Sequence, residues 1–177
     1  MGLDSRRIAA FAWVAVFALA GCFNEADPPR DMSSADLDCA ALIDKIAAPP
    51  EGYQSVLGVI ALPDPDTQHQ LGRTDPNSGL RFAKMGLLVR AGEEEALITV
   101  DPGQAAKIRI GWGTVAAGDP PSPPPVEQLV VPRCQSDSVW VVYAGGIWVG
   151  EPACVGLTVS TGDRSESISL PIATVCP

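Results

Sequence analysis

The sequence beyond Tyr53 is a series of short apolar or alternating runs, each separated from the next by Gly, Pro or Asp. Runs of this kind are typical of the strands of an all-β sandwich or barrel. The predicted strands are residues 55–62, 81–90, 96–100, 107–112, 128–131, 138–143, 147–150, 155–161 and 167–173. We therefore expect a mainly β fold, either an antiparallel β-sandwich or a partly open barrel.

Two hairpins are predicted within this series. Residues 155–161 and 167–173 alternate in polarity on either side of the turn Thr161-Gly162-Asp163-Arg164. Residues 140–149 are predicted to form a second hairpin that turns at Ala144-Gly145-Gly146.

Two long loops, residues 63–80 and 116–125, connect other strands and are candidates for functional segments.

One short N-terminal helix is expected ahead of the strands. Ser33 is followed by Asp36 in the manner of a capping box, and Pro49-Pro50 ends the segment. The apolar residues that recur at helical spacing are Cys39, Leu42, Ile43 and Ile46. The inward face of this helix would carry Cys39, which favours a disulfide or core role for its thiol.

The first residues have the layout of a secretory signal peptide. Arg6-Arg7 precedes an apolar run over residues 8–20, which is shorter than the roughly 20 residues that a membrane-spanning helix needs. The next residues, Leu19-Ala20-Gly21-Cys22, resemble the lipobox of bacterial lipoproteins. That resemblance implies cleavage before Cys22 and attachment of a diacylglycerol to its thiol, which would hold the protein stably at a membrane.

This resemblance divides the chain into three parts. Residues 1–21 are the predicted lipoprotein signal peptide, residues 22–34 a flexible tether, and residues 35–177 a single β-rich extracytoplasmic domain. The predicted location is the outer face of the cell membrane. The C-terminal half, with Cys134, Trp140, Cys154 and Cys176, also looks like exported actinobacterial domains of unassigned function, a likeness that supplies neither substrate nor catalytic residues.

The other four cysteines are Cys39, Cys134, Cys154 and Cys176, and an even number in an exported chain predicts two disulfides with three possible pairings. The predicted hairpin over residues 140–149 places Cys134 and Cys154 at similar distances from its turn. That favours a Cys134–Cys154 bond and leaves Cys39 for Cys176. The alternative pairs Cys154 with Cys176 across the final hairpin.

Charge and motifs exclude several functions. The net charge of −9 argues against nucleic-acid binding, because phosphate recognition needs a clustered basic surface. His69 is the one histidine, and no Gly-x-Ser-x-Gly motif accompanies it, which argues against a Ser-His-Asp hydrolase.

The acidic segments also have simple interpretations. Glu93-Glu94-Glu95 is interpreted as a charged turn. The acidic and amide residues of the first long loop do not match a calcium-loop spacing: Asp64, Asp66, Asp75 and Asn77. No catalytic residue, metal or cofactor is predicted.

Three aromatic residues of the mature domain form a possible ligand platform: Trp112, Tyr143 and Trp148. Both alternating sets of residues 139–143 are apolar, however, which favours a strand buried on both faces. Core packing is therefore the favoured interpretation. Trp148 is the strongest exception because it follows Gly145-Gly146.

These features predict a lipid-anchored envelope lipoprotein that acts as a non-catalytic binding or protein-interaction module. Its expected partners are the membrane, through the diacylglycerol, and an envelope protein or cell-wall glycan. One alternative is an envelope hydrolase with two carboxylates about 5 to 10 Å apart in a concave site. Another is a structural spacer lipoprotein, which would have no apolar patch or pocket.

Overall fold

The computed structural model describes residues 32–113 and 125–177. The predictions for the signal peptide, for Cys22 and for most of the tether and the 116–125 loop lie outside these residues. The described strands are β1 (Ser34–Asp36), β2 (Asp44–Ile46), β3 (Tyr53–Val56), β4 (Ile60–Pro63), β5 (Arg81–Arg90), β6 (Ala96–Val100), β7 (Ile108–Trp112), β8 (Gln128–Val131), β9 (Trp140–Val149), β10 (Ala153–Thr161) and β11 (Arg164–Ile172).

The strands form two sheets packed face to face. The first sheet has five strands in the order β1-β8-β6-β10-β11. The second has six, in the order β2-β9-β5-β4-β3, with β7 also paired to β9. All neighbours are antiparallel except β1 and β8, which are parallel. The prediction of a mainly β antiparallel sandwich is therefore confirmed.

The core lies between the sheets and is supplied by alternate residues of each strand, because successive side chains of a strand point to opposite faces. Strand β10 shows the pattern plainly: Val155, Leu157 and Val159 are buried in the core, while the residues between them are partly exposed. The final hairpin forms as predicted, with Thr161 paired to Arg164. In the described part of the chain, no helix is both long and apolar enough to span a membrane.

The predicted hairpin over residues 140–149 is wrong, because these residues form the single strand β9. Its two glycines allow close strand contact instead of a turn. A Cβ at Gly145 would lie 2.2 Å from the Gly111 carbonyl oxygen, and one at Gly146 would lie 2.0 Å from that of Ala83. A side chain at either position would collide with a neighbouring strand, so the glycines let β9 pair with β5 on one side and β7 on the other.

The predicted strand 55–62 is divided into β3 and β4. The turn between them is made by Leu57 and Gly58, whose φ angles are +53° and +76°. Two positive φ angles are the signature of a type I′ hairpin turn, which matches the twist of the flanking strands. Side chains of β11 hold the Leu57 peptide: its N–H donates to Glu166 Oε2 (3.2 Å), and its carbonyl accepts from Arg164 Nη1 (3.2 Å).

The predicted N-terminal helix is reduced to one 3-10 turn at Cys39–Ala41, capped by the Asp38 side chain. We call residues 34–46 the N-terminal strap, because β1 pairs with β8 of one sheet and β2 pairs with β9 of the other. The strap therefore crosses the side of the sandwich. Its main-chain groups form hydrogen bonds with two different strands. Because of these bonds the strap is extended, although its apolar residues are at helical spacing.

The structure has two disulfides, Cys39–Cys134 and Cys154–Cys176, with Cα–Cα distances of 5.5 and 5.4 Å. Two bonds were predicted, but the favoured pairing is wrong and the alternative for Cys154 and Cys176 is correct. The favoured pairing depended on the hairpin that does not form. A continuous ten-residue strand spans roughly 30 Å, so it carries the chain away from Cys134 before Cys154 is reached.

Candidate functional site

Two of the three predicted platform residues belong to the core. Trp112 and Tyr143 have no exposed surface. The Trp112 indole N–H donates to the Met85 carbonyl at 3.0 Å, and the Tyr143 hydroxyl donates to the Cys39 carbonyl at 3.3 Å. Burial, with the charge of Asp38, raises the pKa of Tyr143. These two rings therefore cannot form a platform for a ligand.

The outer face of the five-stranded sheet is mostly polar, with Leu97 and Val130 as partly exposed apolar exceptions. One row of paired residues crosses all five strands and consists of hydrogen-bonding side chains: Ser34, Gln128, Thr99, Thr158 and Ser167. Within this row, the Thr158 and Ser167 hydroxyls lie 3.1 Å apart. A polar outer face is the usual arrangement for an antiparallel sheet with one side in water.

The outer face of the six-stranded sheet is apolar and aromatic instead. Trp148 lies on this side of β9, opposite its core-facing neighbours. We define the aromatic face as the following outward residues of β3, β5 and β9: Tyr53, Phe82, Lys84, Gly86, Leu88, Trp140, Val142, Ala144, Gly146 and Trp148. Leu88 and Trp140 form a small apolar cluster there, against which Tyr53 and Val142 pack. The two outer faces of the sandwich thus differ sharply in chemistry.

Aromatic rings cover the glycines of this face. The Phe82 ring has its Cε2 atom 2.8 Å from the position that a Cβ on Gly146 would take. The Tyr53 hydroxyl lies 3.0 Å from the corresponding position on Gly86. Glycine in a sheet is commonly covered by an aromatic side chain in this way. Both rings therefore lie close against the sheet, and both residues remain partly exposed.

The Phe82 and Trp148 rings are in contact, with centroids 4.5 Å apart and planes inclined at 34°. Trp148 is 8% exposed, and Phe82, which packs against it, is partly exposed.

Arg109 is paired with Trp148 across β7 and β9, and its guanidinium binds Glu127 Oε1 at 3.0 Å. The Glu127 Oε2 atom is buried and has no hydrogen-bond partner within the described ranges.

Lys84 is the exposed cation near the centre of the aromatic face. It is paired with Gly146 and lies between Phe82 and Gly86 on β5. Other cations near this face are neutralised, since Arg109 binds Glu127 and Arg90 lies 3.6 Å from Glu93. No carboxylate of residues 32–113 or 125–177 lies within ion-pair distance of Lys84.

Two of the cavities formed by the described residues lie away from the aromatic face. One, of about 270 Å³, is at the end of β9 and is lined by Gly103, Gln104, Lys107, Ile108, Val149, Gly150, Glu151 and Ala153. The other, of about 290 Å³, is beside the C-terminal disulfide and is lined by Pro65, Asp66, Gln68, Pro171, Thr174, Val175 and Cys176. Each has one carboxylate, so neither is the two-carboxylate site that a glycoside hydrolase would need.

The remaining sequence candidates have local structural roles. His69 connects the first long loop to β11, because its main-chain N–H donates to the Pro171 carbonyl at 3.2 Å. Burial lowers the pKa of its imidazole. Asp64 and Asp75 bind hydroxyls within their own loop. Glu94 accepts from the Thr161 hydroxyl at 3.3 Å. Across the part of the chain that the structure describes, no three potential metal ligands converge.

Sequence reasoning singled out Trp148 but missed Tyr53 and Phe82. A usable signal was present in β5, where Ala83, Met85, Leu87 and Val89 form the core-facing set and leave Phe82 on the other side. Tyr53 carried no such signal, because only the pairing of β3 with β4 brings it over the sheet.

In comparisons with known proteins, no family model, no curated protein and no solved structure gives a significant match to this chain.

Proposed function

We propose that this protein is a lipid-anchored lipoprotein of the cell envelope that acts as a non-catalytic binding module through its aromatic face. The lipobox-like residues Leu19-Ala20-Gly21-Cys22 support the anchor. Two disulfides support an extracytoplasmic location, because such bonds persist in oxidising compartments.

The contrast between the two outer faces is the observation that carries the binding role. One face is mostly polar, and the other presents partly exposed aromatic rings on either side of a cation. Apolar and aromatic surface that stays partly exposed on a folded domain is a common place for an interaction site, although the more exposed apolar side chains Ile43, Val139 and Val175 lie outside the aromatic face. A spacer lipoprotein would need no such face.

The anchor is tested by metabolic labelling with a fatty-acid analogue. The wild-type chain should incorporate the label, and the Cys22→Ala variant should not, because the acceptor thiol is gone. Equal labelling of the two chains would refute the anchor while leaving the binding role open to its own test.

The binding face is tested by co-sedimentation with insoluble envelope material from the producing cells. Lys84→Glu reverses an exposed charge on the aromatic face and should reduce the sedimented fraction. Lys107→Glu is the matched control, because Lys107 is exposed and lies at the end of the sandwich beside Glu151. Equal sedimentation of both variants and the wild type would show that the aromatic face is not the binding surface.

A further inference from the structure

We propose that the aromatic face binds a linear acidic glycan, with sugar rings stacked at Phe82 and Tyr53 and an anionic substituent bound by Lys84. This inference rests on the proposed binding function and names the ligand class. It is argued from the position of Lys84 on β5, from the partial exposure of Phe82 and Tyr53 and from the charges nearest them.

On β5, Lys84 lies between the aromatic residue Phe82 and the glycine that the Tyr53 hydroxyl approaches. Phe82, Lys84 and Gly86 share one face of the strand, and the Tyr53 hydroxyl lies over Gly86. Successive residues on one face of a strand are about 7 Å apart, so the Cα atoms of Phe82 and Gly86 are about 13 Å apart, with Lys84 between them. A ligand that contacts both aromatic side chains and the ammonium is therefore extended, as a chain of linked sugar units is.

The rings lie against the sheet because glycine leaves room beneath them. Phe82 packs against Trp148, and Phe82 and Tyr53 both keep part of their surface exposed to a ligand. The axial C–H groups of a pyranose carry partial positive charge and pack against the negative face of an aromatic ring. The Tyr53 hydroxyl adds a hydrogen-bonding group at one end.

The charge nearest the aromatic side chains favours an acidic ligand, because Lys84 lies between them and the exposed Asp44 lies at the β2 edge of this face, beside Val142. The whole chain has a net charge of −9, yet this face has an exposed Lys84 with no carboxylate partner among the described residues. The neighbouring arginines are already paired. A membrane surface is disfavoured as the occupant, because Trp140 and Trp148 are 6% and 8% exposed and do not project from the sheet.

The experiment measures binding of defined probes to the full-length chain, produced with its own leader and purified in detergent. The probes are tetragalacturonic acid, its methyl ester, which lacks the charges, and polyphosphate, which lacks the sugar rings. Tryptophan fluorescence and calorimetry report binding. The variants are Lys84→Gln and Phe82→Leu, with Lys107→Gln as the matched control, and circular dichroism establishes that each variant is folded.

The wild type should prefer the acid to its ester. Lys84→Gln should weaken binding of the acid about threefold to fivefold, as expected for a solvent-exposed ion pair, and leave the ester unchanged. Phe82→Leu should weaken both sugars about threefold to tenfold. Lys107→Gln should match the wild type.

Three results would overturn the inference. Equal binding of acid and ester would remove the role of Lys84, equal binding of polyphosphate would show a site for charge alone, and binding of neither sugar would exclude this ligand class. If the sugars fail while Lys84→Glu still reduces sedimentation with envelope material, the proposed function stands and only the ligand class is wrong.

Discussion

Removal of each disulfide should destabilise the domain by a different amount. Cys39 and Cys134 are separated by 95 residues in sequence, and Cys154 and Cys176 by 22. In the chain-entropy model, the longer loop corresponds to about 4.7 kcal/mol of stabilisation at 25 °C and the shorter loop to about 3.4 kcal/mol. Cys134 is also buried at 2% exposure beside the Tyr143 hydroxyl, so its truncation leaves a void that widens the difference.

The assay is urea unfolding of two double variants, Cys39→Ala with Cys134→Ala and Cys154→Ala with Cys176→Ala, without reductant. The first variant should lose more free energy of unfolding, by about 1 kcal/mol or more. The fully reduced wild type serves as the control that lacks both bonds. A first variant that is as stable as the second, or more stable, would refute the reasoning.

Three further predictions concern single residues. Gly146→Ala should destabilise the domain by about 1–3 kcal/mol, because the added Cβ would collide with a β5 carbonyl, whereas Gly150→Ala has open space and should melt near the wild-type temperature. Trp112→Phe leaves a buried carbonyl without its donor and should cost about 1–3 kcal/mol in urea unfolding, and an unchanged midpoint would contradict this. Because burial lowers the pKa of His69 in the folded state, the unfolded chain binds its proton more readily, so stability should fall as the pH drops below about 6.5 and through the folded-state pKa. His69→Gln should flatten this part of a plot of urea midpoint against pH, and an unaltered slope would exclude His69 as the cause.

Strand positions were readable from sequence wherever one strand face is apolar throughout. Strands β5, β6 and β8 begin and end at the predicted residues, because their core-facing side chains alternate without interruption. The final hairpin was predictable for the same reason and because Gly162 supplies a positive φ at the turn.

Strand β9 shows why the rest could not be predicted. Two consecutive glycines favour a turn when only the local sequence is considered. In the folded chain they allow β5 and β7 to approach, and those strands lie far from β9 in sequence. The predicted Cys134–Cys154 bond is wrong for the same reason, because it depends on the position of that predicted turn.

The aromatic face was only partly predictable. When a strand has apolar residues on both faces, its partner strands determine which face points to the core. Trp140 and Trp148 share a side of β9 that the sequence alone could not separate from the side of Tyr143.

The N-terminal strap also determines how the domain responds to mechanical load. A pull on the chain upstream of Met32 first reaches β1, whose ladder with β8 covers only three residues. Once this ladder opens, the Cys39–Cys134 bond passes the load directly to Cys134, so a load opposed at the C-terminus bypasses residues 40–133. A force between the N-terminus and the C-terminus would therefore bypass Phe82 and Lys84 and act on the chain that follows Cys134, which includes β9.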